Sequence, residues 1–152
     1  MTINIKPHHL LDIFKLYGRG VYPFVPDVNF KHDFYRIGNG IIDKDVEFIT
    51  FTAKSDDICI PCIYCIDGVC VDSLTHSEFK TKNDYNYAID KNILSNFLLA
   101  ENSRYEIISL LSNINNTISL ELINKVWVWS DENDNKQRFA NTVAGIRKFL
   151  YR

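Results

Sequence analysis

The chain has 152 residues, with 17 basic side chains against 19 acidic ones and a net charge of −2, a length that fits one ordinary domain. Hydrophobic residues make up 46% and charged residues 24%, which excludes disorder as a description of the whole. The near balance of charge excludes a general pull toward nucleic acid or anionic lipid, and no apolar run approaches the roughly 18–20 residues of a membrane span.

The first residues, Met1 to Pro7, lack the charged-then-apolar pattern of a signal peptide, so a soluble cytoplasmic protein is expected. Pro7-His8-His9-Leu10-Leu11-Asp12-Ile13-Phe14-Lys15-Leu16-Tyr17 reads as the first helix. Proline suits the first helical position, and Leu10, Ile13, Phe14 and Tyr17 recur at helical spacing. Gly18-Arg19-Gly20 ends it. A loop with Pro23 and Pro26 leads to a short helix around residues 29–36, and Gly38-Asn39-Gly40 reads as a turn. Val46 to Thr52 is β-branched and aromatic, a strand that delivers the chain to a cysteine loop. Helical spacing then predicts helices over 85–99, 103–113, 119–127 and 135–151, the third of which can equally be extended around Val126-Trp127-Val128-Trp129. Asp131 to Asn135 is a polar loop whose last residues cap the final helix. No repeat or linker divides the chain. It reads as a single α+β domain, mostly helical, with a short strand pair beside the cysteine loop: residues 1–75 form the metal-loop half and 76–152 the helical half.

All four cysteines fall in one segment, Cys59-Ile-Pro-Cys62-Ile-Tyr-Cys65-Ile-Asp-Gly-Val-Cys70. In a reducing compartment this clustering favours thiolates and a metal over stable disulfides. Ile66-Asp67-Gly68-Val69 has the sequence of a two-residue hairpin, which sets Cys65 across from Cys70 with Cα atoms about 4.5 Å apart. Three thiolates at x2 spacing match iron–sulfur loops. A C-x2-C knuckle plus the Cys65/Cys70 hairpin also supplies the tetrahedron of a structural zinc site. Disulfides or inert thiols are the third reading.

Lys6-Pro7-His8-His9-Leu10-Leu11, then Gly18-Arg19-Gly20-Val21-Tyr22, then Asp56-Asp57-Ile58-Cys59-Ile60-Pro61-Cys62 resemble a family of small bacterial and archaeal proteins of unknown function described as iron–sulfur binding. The likeness covers about the first half of the chain and brings no reaction. Its pattern has a cysteine directly after the His-His-Leu-Leu run, where this chain has Asp12. The resemblance implies that this cysteine is a fourth sulfur ligand. Here either Cys65 takes over that role or Asp12 ligates through oxygen, and the change raises the standing of zinc.

On the helix, His8 and Asp12 share a face while His9 points about 100° away, so one histidine is expected to face whatever Asp12 faces. It is a ligand, a hydrogen-bond partner of a ligand, or a proton carrier, unless it only bonds a backbone carbonyl. His32 and His76 read as surface residues. Trp127 and Trp129 read as core. Lys136, Arg138, Arg147, Lys148 and Arg152 make the last helix basic, a solvated face in a chain without a nucleic-acid docking motif.

The first functional expectation is an iron–sulfur cluster held by Cys59, Cys62, Cys65 and Cys70, roofed by the His8/His9/Asp12 helix. It would serve electron transfer or redox sensing with an unidentified redox or protein partner. An enzymatic version, with substrate at an open iron, requires one cysteine to be a non-ligand and Asp12 or a histidine as the acid–base group. The alternative is an interaction module with a structural four-cysteine zinc site, its function on the helical half.

Overall fold

Alternating apolar residues at the very start of the chain make a strand that the sequence pattern alone did not single out. In the computed structural model, which describes residues 2–66, 69–70, 79 and 81–152, β1 (Thr2–Ile5) buries Ile3 and Ile5 and turns Thr2 outward. Its partner β2 (Phe48–Phe51) lies parallel, with Ile3 beside Ile49 and Ile5 beside Phe51, so one face of the pair is apolar. Between them run α1 (Pro7–Gly18) and α2 (Phe34–Ile42). The helix α1 starts on Pro7 as expected. It ends where the Arg19 N–H returns to the Lys15 carbonyl and Gly20 takes a φ of 87°.

The second helix corrects the sequence reading. It runs through Gly38-Asn39-Gly40, which local chemistry marks as a turn. Tertiary packing decides otherwise: Ile37, Ile41 and Ile42 are buried on one face, and the Asn39 side chain pairs with both the N–H and the carbonyl of Phe24. At Gly38 an added Cβ would sit 2.8 Å from the Phe24 ring, so the glycine makes room for that aromatic.

Beyond β2 the chain forms the hairpin β3 (Cys65–Ile66) and β4 (Val69–Cys70), pairing Ile66 with Val69 and Cys65 with Cys70 as expected. The turn expected at Asp67-Gly68 lies outside the described residues, as does His76. Then come α3 (Lys82–Asn96), β5 (Arg104–Glu106), α4 (Ile107–Thr117), α5 (Leu120–Val126) and α6 (Glu132–Tyr151). The segment expected as one helix over 103–113 is divided. Arg104 to Glu106 complete the sheet antiparallel to β2, and the Glu106 carboxylate then caps α4 by accepting the Ile108 and Ser109 N–H groups. Ser119 caps α5. For α6 the cap is Asp131 rather than the end of the polar loop, so the loop residues Glu132 to Asn135 are helical. The bulk of the core is made where α1 crosses α6, with Phe14 edge-on to Phe149 at 5.3 Å. Trp127 is buried there, whereas Trp129 is partly exposed. The domain is α+β and mostly helical, and no helix among the described residues is long and apolar enough to cross a membrane.

Candidate metal centre

Two consecutive carboxylates fasten the cysteine loop to the start of the chain. Asp57 accepts the Asn4 N–H at 2.9 Å, and Asp56 accepts the Lys6 N–H at 2.7 Å. The second oxygen of Asp56 receives the N–H groups of Ile58 and Cys59, an Asx turn that starts the loop. From there the backbone winds through three successive turns, with the N–H groups of Cys59, Cys62 and Cys65 donating to the carbonyls of Asp56, Cys59 and Cys62. The outer side is pinned by Ile63 N–H to Phe30 and Asp33 N–H to Ile58. The cysteine loop is thereby clamped between the β1–α1 junction and residues 27–33.

At that junction opens a cleft of about 390 Å³, lined by Cys59, Cys62 and Cys70 together with His8, His9 and Asp12. Cys65 is placed differently: its Sγ lies 3.2 Å from the Ser55 Oγ. Both histidines line the cleft, which corrects the expectation that only one would. The cleft lies across the N-terminal end of α1, where side chains of the first turn fan around the helix end, so a 100° difference in heading does not separate them. The rings stand 4.2 Å apart, centroid to centroid.

Each histidine is oriented by a buried aspartate, and not by a backbone carbonyl. His9 Nδ1 lies 2.7 Å from Asp56, and His8 Nδ1 lies 2.9 Å from Asp90 of α3. With the carboxylates ionised, each Nδ1 carries the proton and donates it, leaving each Nε2 to accept a proton or bind a metal. Burial alone would push the Asp56 pKa up, but His9 and the donated N–H groups hold it well below the usual carboxylate range. Burial likewise opposes a charge on His8, yet Asp90 outweighs it and raises the His8 pKa. For Cys59, burial and then the Asp56 carboxylate push the thiol up to about 12, so this sulfur stays protonated until a cation displaces the proton.

One donor atom each from His9, Asp56 and Cys59 lies within 4.8 Å of the others, the group of three that meets this distance among the described residues. Both Asp56 oxygens already accept hydrogen bonds, so the carboxylate acts by orienting His9 and the Cys59 backbone. Asp12 faces the cleft with its charge shared between Lys15 at 3.3 Å and Arg138 at 3.5 Å. Arg138, expected on a solvated face, instead lies over the Trp127 ring at 4.2 Å. His32, expected on the surface, lines the cleft and lies 3.4 Å from Asp27.

Asp90 and the aromatic rings lining the cleft escaped sequence reasoning, and Lys6 and Asp56 entered it only as motif residues without a role. An aspartate three residues before a cysteine is an Asx-turn signal, and Asp90 lies on the apolar stripe of α3 beside Ile89, Ile93 and Leu94. Both signals become readable once the helix faces are known. No family model, curated protein or solved structure matches the chain.

Proposed function

We propose that the cleft holds a metal centre, and that this centre is an iron–sulfur cluster bound through Cys59, Cys62 and Cys70, serving electron transfer or redox sensing. The observation that carries the reading is that these three cysteines and two carboxylate-oriented histidines line one cleft. The donor chemistry fits. Three thiolates, two from the Cys59–Cys62 turn and one from β4, are ligands of the kind such clusters take, and His9 stands beside Cys59 with an imidazole nitrogen left over. An iron–sulfur group supplies one-electron chemistry. The protein would supply the thiolates and, beside them, the Asp56–His9 and Asp90–His8 pairs, which orient the imidazoles and set local charge. Cys65, bonded to Ser55, is the cysteine this reading leaves outside the ligand set. The family resemblance of the first half of the chain points the same way.

A second reading is favoured by the nearness of His9 to Cys59: a zinc ion on Cys59, Cys62, Cys70 and His9, a three-cysteine, one-histidine set typical of structural zinc. Metal and acid-labile sulfide analysis of protein purified without oxygen separates the two. Iron with matching sulfide and a brown colour is the expected result. One zinc per colourless chain establishes the second reading, and a chain that takes up neither metal overturns both.

A further inference from the structure

The cleft combines a cation with aromatic rings. Lys6, one of its lining residues, is only 2% exposed, and its positive charge acts on both Cys59 and His8. The neighbouring carboxylates are engaged elsewhere. Asp56 accepts four hydrogen bonds, Asp12 faces Lys15 and Arg138, and Asp27 takes two backbone N–H groups and pairs with His32. Among the described residues none of these carboxylates forms an ion pair with Lys6. Lys6 therefore lines the cleft as a cation that none of these three carboxylates pairs with, and an entering anion gains a charge-assisted contact there.

Aromatic rings line the cleft as well. Phe30 packs against Tyr64 at 5.3 Å and stacks on His32 at 6.2 Å with an interplanar angle of 12°, and Phe34 stands edge-on to His32. The volume of about 390 Å³ is within the range of small-molecule sites, which combine apolar walls with a few placed polar groups.

We infer that the cleft binds a small organic acid, its carboxylate on Lys6 and its flat body against Phe30, Phe34 and Tyr64. This rests on the reading of the cleft as the functional site, and it holds whichever metal the cysteines bind. It assigns the cleft a ligand in addition to a centre, which turns an electron carrier into a protein that senses or acts on a carboxylate.

The test is calorimetric titration of the full chain, purified without oxygen, with benzoate and separately with inorganic phosphate, with metal content measured on the same samples. Benzoate is expected to bind once per chain, and Lys6→Met to weaken it about 10-fold or more, the loss of a charge-assisted contact. Should Lys6→Met fail to fold, judged by thermal melting, Tyr64→Ala keeps the question open: it weakens benzoate and leaves phosphate unchanged. Absence of benzoate binding, or equal binding in folded Lys6→Met, overturns the inference and means that Lys6 serves only to offset the thiolates. Phosphate binding as tightly as benzoate, with Tyr64→Ala without effect, also overturns the organic acid. Metal without benzoate binding defeats this inference alone, and benzoate binding without metal defeats the metal centre alone.

Discussion

Both oxygens of Asp56 are engaged by the chain itself, which makes this residue the joint between the cysteine loop and the helix that faces it. Asp56→Asn keeps the shape but replaces an acceptor by a donor opposite His9 and removes a buried charge from its partner. The expected cost is about 3 kcal/mol of stability, with metal affinity lower by about 10- to 100-fold, measured by denaturant unfolding and competition with a chelator. The sign of its pH dependence comes from the lowered pKa. Its stabilisation is present above the ordinary carboxylate value and is lost as the pH falls through and below it. Asp56→Asn therefore flattens the acid limb of the stability profile below about pH 4, and an unchanged limb contradicts the assignment. His8 runs the other way. Its pKa is raised by Asp90, so its contribution is complete at and below the ordinary imidazole value and lost as the pH rises. The stability difference between wild type and His8→Gln should shrink from about pH 6 to pH 8. A difference that grows over that range would show His8 buried neutral.

Among the elements, the crossing of α1 and α6 sets how firmly the roof of the cleft is held. The two helices touch through glycine: a Cβ on Gly145 would lie 1.8 Å from the Phe14 carbonyl oxygen, and one on Gly18 would lie 1.9 Å from that of Asn141. Backbone cannot yield as a side-chain tip can, so Gly145→Ala should cost about 3 kcal/mol and lower the melting temperature, although alanine is the better helix former. Gly40→Ala in α2 is the comparison, because its Cβ meets only a Val46 methyl at 3.4 Å. Its stability should change by less than about 1 kcal/mol. Equal melting of the two variants would mean that the helices do not cross this closely. The helices α1, α3 and α6 are legible in the sequence because their apolar residues repeat at helical spacing, whereas α5 reads equally well as extended around Val126-Trp127-Val128-Trp129. The illegible parts are set by distant contacts. The short strands β1 and β5 exist because β2 offers them edges, and α2 persists through two glycines because Phe24 and three isoleucines are buried by it.

For the whole molecule, sequence clustering gathers the sulfurs but does not say which way each one faces. Cys59, Cys62 and Cys70 line the cleft, while the Cys65 Sγ meets the Ser55 Oγ although its backbone pairs with Cys70 across the hairpin. The histidine pair is visible as a motif, but helical spacing predicts that only one of the two faces the site, whereas both line the cleft. The aspartates behind it are not visible, since Asp56 and Asp90 are separated from their histidines by 47 and 82 residues. The proposed centre depends on that division of the cysteines. Iron and acid-labile sulfide per chain, measured without oxygen in the four single Cys→Ser variants, test it most directly. Cys65→Ser should retain the wild-type content and visible spectrum, whereas Cys59→Ser, Cys62→Ser and Cys70→Ser should each lose most of it. Loss in Cys65→Ser equal to that in the other three would contradict the proposed centre and return the site to a four-cysteine loop independent of the helix.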